Sequence, residues 1–234
     1  MHGSTLDRLV AMPTERFKRR ARRHHLPIAL ASAIGMAVLL PLVHSDRVMQ
    51  RWSLATAYVA LGLVAATLVT GPWAVLQGRR HPTSSDLRRD LGIWAGGFGV
   101  GHFVFGLQVH QKYRYLYWFR EMNGSRLPRL RLDAFGLTND LGIVAVVIVV
   151  VLLAISNDMA LRRLGARKWK RIQQWSYWYL GLVVVHAVIY ELIEKRAIGL
   201  VLLGLVIAGA AVALQLAGMQ ARNGAKRPES LEDA

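Results

Sequence analysis

Residues 141–155 read LGIVAVVIVVVLLAI and residues 198–219 read IGLVLLGLVIAGAAVALQLAGM. The first stretch has no polar side chain in 15 positions, and the second has only Gln215 in 22. A helix on the surface of a soluble domain needs a polar face, whereas one in lipid needs about 20 mainly apolar residues to cross about 30 Å of hydrocarbon. Similar blocks recur along the 234-residue chain, separated by short, strongly charged connectors. The pattern predicts an all-α integral membrane protein, a bundle of six transmembrane helices at about 27–43, 53–77, 91–109, 137–155, 173–192 and 198–219. Residues 1–26 then form a basic cytoplasmic arm, amphipathic or disordered, and 220–234 a short cytoplasmic tail. Pro27 suits the first turn of the first helix, and Gly71-Pro72 should kink the second near its inner end.

The net charge is +16, from 30 Lys+Arg against 14 Asp+Glu. In a soluble protein this would suggest nucleic acid, but here the cations sit at helix ends, where they direct membrane insertion, so lipid is the expected partner and nucleic acid is not. With the N-terminus inside, the inner connectors hold 20 Lys+Arg and the outer ones 10, which puts both termini in the cytoplasm. The first apolar block ends at Leu42-Val43-His44 with no small-residue cleavage site, so it reads as an uncleaved helix. With no cysteine, thiolate metal sites, disulfides and covalent haem attachment are excluded, and any metal or haem must use His or oxygen ligands.

Two histidines fall inside the spans, His102 in the third and His186 in the fifth. Both helices run from inside to outside, and each ring lies roughly 17 to 20 Å from the inner edge at 1.5 Å per residue. Two imidazoles at matched depth on parallel helices can clamp one haem iron from opposite faces, giving a six-coordinate b-type relay with no open site for oxygen. Taken singly, each is as well explained by a hydrogen bond to a carbonyl on a neighbouring helix. Gly99, His102 and Gly106 share one face, which suits either close approach of a flat ring or tight helix packing. Apart from His186, no acid or base is expected within spans 1 and 4 to 6, which argues against a transporter. His44 and His110 read as solvated interfacial residues, and the aromatic 110–136 connector as an interfacial belt or a docking surface.

Several stretches resemble the ferric-reductase-like transmembrane domain shared by ferric reductases, NADPH oxidases and the haem-binding membrane subunit of the bacterial methionine-sulfoxide reductase system. They are Thr70-Gly71-Pro72-Trp73-Ala74, Leu91-Gly92-Ile93-Trp94-Ala95 leading to His102, Leu153-Ala154-Ile155-Ser156-Asn157-Asp158, Leu164-Gly165 and Trp169-Lys170-Arg171-Ile172. The resemblance covers about residues 27–219 and is nearest to the short bacterial methionine-sulfoxide type. It implies a membrane oxidoreductase, or the haem subunit of one, in a bacterial cytoplasmic membrane. Electrons would pass from quinol or a separate flavoprotein, because the short tail has no room for flavin and nicotinamide domains, to an outer acceptor such as ferric iron, a periplasmic protein or dioxygen.

Family members carry Trp-x-x-Leu-His at the approach to the fifth helix and a second His 13 residues later, which corresponds to His186. The first of these histidines is replaced here by Gln173, and Arg88 stands where larger members place the other inner ligand. The resemblance therefore implies one haem b, in the outer half of the membrane, on His102 and His186. Gln173 and Arg88 then read either as an ordinary interfacial pair or, for Gln173, as meeting a propionate or a quinone and, for Arg88, as meeting a propionate or the phosphate of FMN. The alternative is a non-catalytic, haemless six-helix protein or assembly partner.

Overall fold

A computed structural model describes residues 18–78, 85–109, 120–121, 129–194 and 198–224. Helix α1 covers Lys18–Leu42, α2 Val48–Leu76, α3 Ser85–Val109, α4 Ala134–Ala154, α5 Asp158–Gln173, α6 Trp175–Glu194 and α7 Ile198–Gly224. Among the described residues the only other regular element is an antiparallel pairing of β1 (Arg120–Glu121) with β2 (Arg129–Leu130). Five helical stretches are long and apolar enough to cross a membrane: α1, α2, α4, the α5–α6 run and α7. Helix α3 is not among them, since Asp86, Arg88, Arg89, Asp90 and six glycines lower its hydropathy. It nevertheless forms the most extensive helix pair of the molecule with α2.

The expected boundaries shift where polar residues join the helices. Residues from Lys18 onward belong to α1, so the inner part of the basic arm is helical and Pro27 lies within a helix that began earlier. A proline there removes one N–H from the ladder and crowds the carbonyl four residues back. A widened π turn over Ala21–His25 sits at that interruption. The connector 157–172, read from its charge as a loop, is helix α5. Asn157 caps it by accepting a 2.8 Å hydrogen bond from the Ala160 N–H, and Gly165 at φ 72° turns the chain halfway along. The indole N–H of Trp169 donates to the Ile155 carbonyl at 2.9 Å, tying α5 to the end of α4.

Helix α2 is central, touching α1, α3, α6 and α7. It continues through Pro72 to Leu76. The proline leaves the Leu68 carbonyl without its helical partner, and the Gln215 side chain of α7 donates to that carbonyl at 2.6 Å. Gly218 lets the helices approach at this level, because a Cβ there would lie 2.6 Å from the Pro72 Cβ. The one polar residue of the last apolar block thus repairs the one broken rung of the central helix.

Candidate functional site

His102 on α3 and His186 on α6 face one another, with ring centroids 6.3 Å apart and planes at 77°. Each ring is held by a neighbouring helix. The Nδ1 of His102 is 2.8 Å from the Ser53 carbonyl of α2 and 3.1 Å from the Ser53 hydroxyl. The Nδ1 of His186 is 2.8 Å from the Thr138 carbonyl of α4. A carbonyl can only accept, so Nδ1 carries the proton in both rings and Nε2 is the basic nitrogen. This is the carbonyl contact that a lone intramembrane histidine was expected to make, and it is also the arrangement that orients a metal-ligating imidazole.

Both rings line a cavity of about 150 Å³ enclosed by α2, α3, α4 and α6. Its walls are mainly apolar, and Gln50, Tyr58, Asn139, Tyr190 and Glu191 gather toward the end where α2 and α4 begin and α3 and α6 finish. The Tyr58 hydroxyl lies 2.8 Å from the Leu200 carbonyl and 3.3 Å from Glu191 Oε1, and the Tyr190 hydroxyl donates to Asn139 Oδ1 at 3.2 Å. Glu191 is buried within the fifth apolar block, which corrects the expectation that only His186 is ionisable there. Its position five residues after His186, before the connector begins, was readable in the sequence. The tyrosines and Asn139 carried no such signal, because an aromatic or amide near a helix end is ordinary belt composition.

Gly99 and Gly106 line the cavity beside His102, and so does Gly142, which the sequence did not single out. A Cβ on Gly99 would lie 2.8 Å from the Tyr179 hydroxyl, and one on Gly142 would lie 3.0 Å from His186 Cε1. Side chains, then, occupy the space these two glycines open, and the His186 ring lies against the α4 backbone.

Gln173 and Arg88 do not join the histidines. Arg88 is exposed near the start of α3 and Gln173 is half-buried at the end of α5, and neither lines the cavity. Beyond the cavity, toward the end where α2 finishes, Val64, Leu68, Ala95 and Leu180 pack together next to Leu61 and Val149, which border the cavity. Past that core lies a charged cluster with no counterpart in the sequence reading. Asp90, fully buried, receives the Arg20 guanidinium at 2.5 to 3.1 Å and His24 Nδ1 at 2.7 Å, with His25 Nε2 at 3.5 Å. His44 is exposed, its Nδ1 3.0 Å from the Leu42 carbonyl, while His110 and the aromatics of residues 113–119 lie outside the described residues.

The separation of the two rings can be set against a metal's dimensions. Metal–imidazole bonds of about 2 Å each, plus roughly 1 Å from each ring centre to its nitrogen, make about 6 Å between ring centres. Among the described residues no group of three or more His, Asp or Glu gathers as a site for a bare ion. No family model matches this sequence, and no curated protein is similar enough to it to be reported as a relative.

Proposed function

We propose that the protein is a b-type haem electron-transfer protein of the ferric-reductase-like kind, with six membrane spans including α3 and both termini in the cytoplasm. The observation that carries this reading is the pair of imidazoles 6.3 Å apart, each turned by a backbone carbonyl on its Nδ1. His102 and His186 would hold the haem, which when bound supplies one-electron transfer. Ser53 and Thr138 fix the ring orientation, and the apolar walls keep water from the centre. The packing of Val64, Leu68, Ala95 and Leu180 beyond the cavity supports a single group in the outer half of the bundle. Electrons would come from quinol or a separate flavoprotein and leave to an outer acceptor, in a bacterial cytoplasmic membrane.

The test is an absorption spectrum of the purified protein, oxidised and dithionite-reduced, with haem quantified per chain. One haem per chain with a low-spin Soret band is expected, lost in His102→Ala and in His186→Ala and retained in Gln173→Ala. A colourless protein, or a spectrum unchanged in both histidine variants, overturns the reading. A second reading has its own observation: among the described residues no Lys or Arg lines the cavity to meet haem propionates, and a carboxylate does. In a haemless six-helix protein the histidines would serve only to tie α2 to α3 and α4 to α6, and that protein shows no Soret band.

A further inference from the structure

Helix α5 turns at Gly165, and its second half leads into α6 through Gln174, whose φ of −67° and ψ of −16° stay in the right-handed helical region. Arg167, Arg171, Trp175 and Trp178 follow one another at spacings of four, four and three, so they share one side of this nearly continuous helix. All four are exposed, Trp178 at 74%. The same side continues outward through Val185, 48% exposed, and Leu192, 74% exposed. Trp169 points the other way, into the Ile155 carbonyl. One flank of the helix therefore carries, in order, two guanidiniums, two indoles and an apolar track.

The neighbouring acids are already engaged. Asp86 and Asp90 meet Arg20, and Asp158 meets Arg89. Among the described residues none of Arg162, Arg163, Arg167, Lys168, Lys170 and Arg171 forms an ion pair, and all six are exposed. From Arg171 to Trp178 the rise is about 10 Å. That is the order met by a phospholipid: phosphate first, then the glycerol region where indoles settle, then acyl chains.

We propose that the outward flank of Arg167, Arg171, Trp175 and Trp178 is a binding site for an anionic phospholipid of the inner leaflet. The guanidiniums take the phosphate and the indoles lie along the glycerol and first methylenes. A soluble acidic protein would match the cations alone and would leave the indoles and the apolar track beyond them uncovered. The site stands whether or not the cavity holds a haem.

The test is native mass spectrometry of the full chain in detergent, titrated with phosphatidylglycerol or phosphatidylcholine. Phosphatidylglycerol should bind more tightly, and Arg167→Gln with Arg171→Gln should weaken it by about 30-fold. Arg167→Lys with Arg171→Lys should restore most of the affinity. Removing outer-end cations, Arg47→Gln with Arg51→Gln, should leave it unchanged. Glycerol phosphate, which has the headgroup chemistry without chains, should not compete. Equal binding of the two lipids, survival of phosphatidylglycerol binding in the Gln variant, or displacement by glycerol phosphate overturns the proposal.

Discussion

The two ends of the bundle treat buried polar groups in opposite ways. Toward the end where α2 and α4 begin, His102, His186, Tyr58, Tyr190, Asn139 and Glu191 border a cavity. Toward the opposite end, Asp90 is wrapped by Arg20, His24 and His25 beyond an apolar core. At one end polar groups surround space; at the other they consume one another. A buried charge is tolerated only when paired and hydrogen-bonded, so the inner cluster has the character of a structural latch between α1 and α3. The cavity group keeps its ring nitrogens oriented by carbonyls on separate helices.

The sharpest way to break this contrast is to remove His186. His186→Ala should abolish haem binding, read as loss of the Soret band, with the thermal midpoint lowered only modestly. Asp90→Ala should do the reverse. The retained Arg20 then keeps only its longer contact to Asp86, and stability should fall by about 3 kcal/mol in a detergent unfolding assay while the spectrum of surviving protein is unchanged. If Asp90→Ala bleached the folded protein, the two ends would not be separate devices.

A smaller effect tests the inner packing. Gln215→Leu leaves the Leu68 carbonyl without a donor and should cost about 1 to 3 kcal/mol. Adding Pro72→Ala returns a backbone N–H to that carbonyl, so the double variant should recover much of the loss; no recovery would show that the Gln215 bond matters little.

The smallest effect lies outside the membrane. Asp133 caps α4 through the Gly136 N–H at 2.8 Å, and its hydrogen bonds from Arg131 hold its carboxyl below the usual carboxylate range. A group whose folded pKa is depressed stabilises above its unfolded value and loses that stabilisation as pH falls through the folded one. Asp133→Ala should therefore cost about 1 kcal/mol at neutral pH, and the difference from the native protein should vanish in acid.

Much of this molecule was written in its hydropathy. Five of the helices long and apolar enough to span were readable because lipid demands about 20 apolar residues in a row, a local condition that one stretch of chain meets by itself. His102 and His186 were visible for the same reason, as ionisable residues interrupting such stretches. Helix α5 was not, since charge density resembles a loop until a capping Asn157 and an anchored Trp169 are seen in place. Asp90 and its partners were also hidden: Arg20 and Asp90 lie 70 positions apart, and composition cannot say which of many cations turns inward. The sequence by itself determined the stretches long and apolar enough to cross a membrane and where ionisable residues interrupt them. Only the tertiary structure decided that the two imidazoles meet across a cavity while Arg88 and Gln173 stand apart, because that depends on how helices rotate and pack against one another, which no single helix specifies.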